Sequence, residues 1–339
     1  MPKVQTARST KLPRVLGRRF IIKRDLGRGA YGRVVSAYDA VNERSVALKI
    51  EDSRLFDRAS MEPALYREYN FYRFGGPIPG VSSMRWCGIH GPYNLLAIDE
   101  LGPTLQARLD VCNGHFHLKT VLILADQLFK RIQQLHARGI VHGDLKPENL
   151  LFGNPEGPAR NVVHLVDLGL AKLWRDPQTG EHNPFFMQGD LTGNQHFASV
   201  NMHWGCASAR RDDIESIVYI LIYLLHGCLP WDALASRPLD EHMCVASMKA
   251  SIAPQELCEG LPAEFAAVLE YARGLDYEDK PDYRGIRRAF RRLFDSYTWV
   301  DDGSFEWACP VRGVYARPQQ KLCQLRRLLH RPYAGRADL

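Results

Sequence analysis

The chain has 339 residues, 45% hydrophobic and 24% charged, the composition of a soluble globular protein with room for one two-lobed domain or two ordinary ones. Its eight cysteines (87, 112, 206, 228, 244, 258, 309 and 323) show no Cys-x-x-Cys pair and no regular spacing, which argues against a disulfide framework or zinc site and for reduced thiols. The net charge of +6 is unevenly divided: residues 1–19 carry six bases and no acid, residues 310–339 seven bases and one acid, and 31 bases and 37 acids remain between them.

Basic ends of this kind attract acidic partners, anionic lipid or nucleic acid, but a solvated tail is the expected state of each. Nucleic acid is not the expected partner. The acid-free start lacks the apolar stretch of a secretory leader, and an organellar address stays open. The longest strongly apolar run, 217–225, is too short to span a bilayer and reads as a buried helix.

The first third reads as strands. Phe20-Ile21-Ile22-Lys23 precedes Leu26-Gly27-Arg28-Gly29-Ala30-Tyr31-Gly32, followed by Val34 to Tyr38 and by Val46-Ala47-Leu48-Lys49-Ile50. A lone Gly-x-Gly-x-x-Gly is a weak signal. Here a β-rich segment with a lysine follows it, not a helix, which favours a hairpin covering phosphates over a dinucleotide turn. Missing side chains let backbone N–H groups approach phosphate oxygens. Lys49 is placed to meet those phosphates and needs an acid from the next helix, 61–74, with Glu68 the first choice and Glu62 the second. A strand over 93–99 then breaks at Glu100-Leu101-Gly102-Pro103, where a hinge is expected. Backbone groups of Asp99 to Leu101 would meet adenine there, with Ile98 facing the pocket.

Beyond 102 the pattern turns helical, over 118–137, 212–225, 265–274 and 283–294. The stretch His142-Gly143-Asp144-Leu145-Lys146-Pro147-Glu148-Asn149, with Asp167-Leu168-Gly169 downstream, carries the chemistry. Phosphoryl transfer needs an acceptor beside the incoming hydroxyl, a cation at the transferring group, and oxygen ligands for magnesium. Asp144 suits the first role, Lys146 the second, and Asn149 with Asp167 the third.

These motifs together resemble the eukaryotic protein kinases, and more closely the casein kinase 1 group, over roughly residues 20–298. Similar to that group are Arg85-Trp86-Cys87-Gly88, Leu101-Gly102-Pro103-Thr104-Leu105, the run 118–127, and Phe197-Ala198-Ser199-Val200-Asn201. So are Arg210 to Ser216, Leu229-Pro230-Trp231 and Asp279-Lys280-Pro281-Asp282-Tyr283.

The resemblance implies an α+β, bilobal fold with a small β-rich N-lobe (20–98), a hinge (99–102) and a larger helical C-lobe (103–298). Basic extensions at 1–19 and 299–339 flank it. It implies a serine/threonine kinase using ATP and Mg2+. Asp144, Lys146 and Asn149 would be catalytic, and Asn149 and Asp167 would hold metal. Leu26, Gly27, Gly29, Gly32, Val34, Ala47, Lys49, Glu68, Ile98, Asp99, Leu101 and Asp167 would bind the nucleotide. Asp213 should brace the catalytic loop. A monomer acting on protein substrates in the cytoplasm or nucleus is expected; a scaffold that binds ATP without efficient transfer is the alternative.

Three departures qualify the resemblance. Gly143 stands in place of the usual catalytic-loop arginine, a form also seen in the vaccinia-related kinases, so activity should not require activation-loop phosphorylation. Leu168 replaces the usual Phe and keeps its apolar character. Gly193-Asn194-Gln195-His196 replaces Gly-Thr-Ala-Arg, and a basic segment is missing from 235–248, so dependence on primed or acidic substrates should be weak.

Overall fold

A computed structural model describes residues 12–29, 32–55, 63–235 and 242–308. Glu62, the loop tip Ala30-Tyr31, residues 236–241 of the 235–248 segment, the first eleven residues and residues 309–339 of the C-terminal basic end lie outside them.

The chain forms two compact units, one of residues 1–102 with 151–171, the other of 103–150 with 172–339. The first is built on a six-stranded antiparallel sheet in the order β1-β2-β3-β4-β6-β5. Its strands are β1 (Val15–Leu16), β2 (Phe20–Gly29), β3 (Gly32–Asp39), β4 (Arg44–Asp52), β5 (Met84–His90) and β6 (Tyr93–Asp99), with helix α1 (Ala64–Gly75) between β4 and β5.

The two-residue period sorts the side chains onto two faces. Phe20, Val35, Ala37, Val46, Leu48, Ile50, Tyr93, Leu95 and Ala97 form one buried cluster, joined by Leu16 and flanked by Trp86. The alternate residues, in register across the sheet, put Gly27 opposite Val34, Val34 opposite Lys49, and Ala47 opposite Ile98. The opposite face therefore carries most of the residues predicted to meet nucleotide.

Residues 15–19 do not fit the reading of 1–19 as a solvated tail. Leu16 is fully buried, and β1 pairs with β2. Arg19 makes a two-pronged bond to Asp39 at 2.7 Å on both arms, and its guanidinium lies 5.1 and 5.4 Å from the Phe20 and Trp86 ring centroids. A two-residue strand has no periodicity to read, so only the charge was visible. Segment 151–171 likewise belongs with the first unit. It contains all but the first residue of β8 (Leu150–Phe152) and all of β9 (Val163–Leu165), which pair with each other, and Leu165 bridges Val81.

The second unit is mostly helical: α2 (Leu105–Val111), α3 (Leu118–Ala137), α4 (Val200–His203), α5 (Arg210–His226), α6 (Asp232–Ala235), α7 (His242–Ser251), α8 (Pro254–Leu257), α9 (Ala263–Arg273) and α10 (Tyr283–Ser296). A short ribbon of β7 (Ile140–Val141) and β10 (Lys172–Leu173) completes it. The predicted helices at 118–137, 212–225, 265–274 and 283–294 are α3, α5, α9 and α10, to within two residues at each end. Helix α5 is buried on nearly every side, as the apolar run predicted, and Gly227 at φ 73° ends it. Thr104 and Asp282 cap α2 and α10 by accepting the Ala107 and Gly285 N–H groups. Residues 299–308 are not a free extension either. Phe305 is buried and stacks on Trp307, whose ring meets Phe116, and Glu306 accepts the His117 N–H at the start of α3.

No helix among the described residues is long and apolar enough to cross a membrane.

Candidate active site

In the first unit Lys49 is the centre. Its Nζ lies 2.8 Å from both Glu68 oxygens and 2.7 Å from Asp167 Oδ1. Burial works against the Lys49 charge, but the two carboxylates outweigh it and hold its pKa above the ordinary value. Glu68 projects from α1, whose N-terminus is fixed by Glu51: one oxygen accepts the Ala64 N–H at 3.0 Å and the other the Asn94 amide at 2.9 Å. Asp167 sits at φ 69°, ψ 72°, a left-handed backbone that turns the chain just before buried Leu168.

The glycines divide by cause. A Cβ on Gly32 would fall 2.2 Å from the Ile50 carbonyl oxygen, so packing alone requires glycine there. At Gly27 a Cβ would meet nothing within 4 Å. Its bareness leaves the β2 backbone open to a ligand oxygen. Gly29 pairs with Gly32 at the end of the hairpin. Leu26 lies where the β2–β3 register slips, and is 40% exposed.

The expected adenine contacts need adjustment. The Asp99 N–H donates to the Ser83 carbonyl, and its carboxylate accepts the Ser83 N–H and the Arg85 guanidinium. The Gly102 N–H donates to Phe152. Asp99 therefore serves the β5–β6 pairing with its own N–H, and Leu101 makes no backbone hydrogen bond among the described residues.

In the second unit Asp144, Lys146 and Asn149 are joined. Lys146 Nζ donates to Asp144 Oδ2 at 2.7 Å. Asn149 Nδ2 donates to the Asp144 carbonyl at 2.9 Å and to Oδ2 at 3.3 Å. The other oxygen, Oδ1, takes both the backbone N–H (3.0 Å) and the side-chain amide (2.9 Å) of Asn194. Asn194 is a site residue that sequence reasoning missed. Its stretch was singled out only for the arginine it lacks.

The loop is braced from beneath, as expected of Asp213. Its carboxylate accepts the His142 N–H at 2.7 Å and the Gly143 N–H at 3.0 Å. It also takes His136 Nε2 at 2.9 Å. Burial holds the His136 pKa below its ordinary value, so the ring is neutral. Because a carboxylate only accepts, Nε2 carries the proton and Nδ1 accepts the Tyr283 hydroxyl at 2.7 Å. Gly143 lies at φ 72°, a conformation glycine adopts without strain. His196, where an arginine would sit, is 3.4 Å from Asp232, an acid that would repel a phosphate.

Each unit thus assembles the groups a phosphoryl-transfer enzyme needs of it, a cation held by two acids in one and an oriented carboxylate with a lysine in the other. A family model described as the protein kinase domain matches residues 20–265, well over half of the chain, and the chain belongs to the protein kinase family.

Proposed function

We propose that this kinase transfers the γ-phosphate of ATP to serine and threonine hydroxyls of protein substrates, and that it is similar to the casein kinase 1 group. The observation that carries the reading is the Asp144 carboxylate, with Lys146 Nζ 2.7 Å from one oxygen and Asn194 on the other. A lysine two residues after that aspartate is the serine/threonine form of the resemblance. The carboxylate orients the incoming hydroxyl and accepts its proton, and the lysine offsets charge on the transferring group.

The residues also suit the nucleotide and its metal. Asn149 uses its Nδ2 on Asp144, which leaves a neutral amide oxygen, and Asp167 supplies a carboxylate; both are hard oxygen donors of the kind magnesium takes. Magnesium, when bound, neutralises phosphate charge. Lys49, held by Glu68, contacts the phosphates, the bare Gly27 backbone covers them, and Leu101 offers backbone groups to adenine. Reduced cysteines accord with the cytoplasm or nucleus as the place of action.

Phosphoamino-acid analysis of casein labelled by the enzyme tests the specificity. Label in phosphoserine and phosphothreonine is expected; label in phosphotyrosine would contradict it.

A further inference from the structure

Asp144 owes its orientation to a segment that must itself be held. Asn194 gives it two donors, reaches the Leu145 carbonyl at 3.3 Å, and accepts the Phe197 N–H at 2.7 Å. Gly193, just before it, lies at φ 103° and offers the backbone no restraint. What restrains the segment is a lysine from α7. Lys249 is completely buried, and its Nζ donates to the carbonyls of Gln195 at 2.9 Å and Ala198 at 2.7 Å.

Its third neighbour is His203 Nε2 at 3.2 Å, an acceptor for an ammonium or a donor to an amine, so both carbonyls are served in either protonation state. The Tyr219 and Trp231 rings stand 5.0 and 4.9 Å away and enclose it. Trp231 also donates its indole N–H to the His196 carbonyl at 2.8 Å, so the same cage grips the middle of the segment. A lysine carried wholly into a protein interior is rare, and a helix-packing role would be met by any apolar residue. The direct acceptors of Lys249 are two backbone carbonyls of the segment whose Asn194 donates to Asp144.

We propose that Lys249 is a positioning residue for phosphoryl transfer: by fixing the carbonyls of Gln195 and Ala198 it holds Asn194 against Asp144. The inference rests on the reading of Asp144 as the group that orients the hydroxyl.

The test compares Lys249→Met, Asn194→Ala and the double variant in the full chain, with Mg-ATP and casein. Each single change should lower kcat about tenfold, the worth of one well-made hydrogen bond, with the KM for ATP unchanged. The double variant should be no slower than the slower single, because both act through Asp144. Multiplicative losses, or an unchanged kcat in Lys249→Met, would overturn the proposal. Should Lys249→Met not fold, Lys249→Gln, which keeps a donor, takes its place. Amide hydrogen exchange supplies a readout independent of turnover: the Asn194 and Phe197 amides should exchange about tenfold faster in the Lys249 variant. Unchanged exchange would overturn the proposal even if the wild type transferred no phosphate, a result that would separately refute the reading of Asp144.

Discussion

Lys49 and Glu68 form a pair whose two functions can be separated. Glu68 is only 2% exposed, so removing its cation leaves a buried carboxylate with no counter-charge. Lys49→Met should abolish transfer and lower stability by about 3 kcal/mol, whereas Lys49→Met with Glu68→Leu should recover most of the stability and none of the activity. Thermal melts beside a transfer assay decide this; a double variant no more stable than the single would mean the ion pair is not the source of the loss. Glu68 was legible in the sequence because a lysine placed to meet phosphates needs an acid on the next helix. Glu51, which fixes that helix, was not, since its partners Ala64 and Asn94 are 13 and 43 residues away. Asn194 and Lys249 escaped for the same reason. Contacts that span 50 and more residues leave no local pattern.

Regular elements were readable wherever a period repeated. The α3 and β6 boundaries coincide with the stretches read, because each presents several turns or alternations to the core. Short β1 and the 299–308 segment were lost to charge composition. Their worth is testable: Arg19→Ala strips the fork from fully buried Asp39 and should cost about 2 kcal/mol in a denaturant melt, a pair at the surface having cost less than 1. Where α4 meets α5, Asp212 accepts the Ser199 hydroxyl and the Ala209 N–H, yet burial pushes its pKa up to about 7. The folded state thus keeps a proton that the unfolded chain releases near pH 4. This contribution to stability is full below pH 4 and disappears as pH rises through about 7. Asp212→Asn cannot titrate, so the wild-type melting temperature should fall relative to the variant between pH 4 and 7. A gap constant over that range would show that Asp212 ionises normally.

For the molecule as a whole, a β-rich third and a helical remainder were legible in the sequence and the motifs' resemblance implied the kinase fold, but the membership of 151–171 in the first unit was not legible. That segment lies between helical stretches in sequence, and its place shows only in long-range contacts such as Leu165 with Val81, Phe152 with Gly102 and Asp167 with Lys49. The second unit carries the regulatory expectation. Gly143 has no side chain to pair with a phosphate, and the Asp213 carboxylate holds the loop by accepting the Gly143 N–H. Phosphatase treatment should therefore leave turnover unchanged; loss of activity that an upstream kinase restores would overturn this. His196 beside Asp232 makes a poor phosphate site, so a phospho-primed peptide and its unprimed parent should have similar kcat/KM, and a tenfold preference for the primed form would refute that. The most direct measurement is transfer of labelled γ-phosphate from Mg-ATP to casein by the wild type and by Asp144→Asn. The account predicts turnover in the range of about 1–100 per second on a good substrate, lost in the variant. Equal transfer by the variant, or ATP binding with no transfer by the wild type, would contradict it.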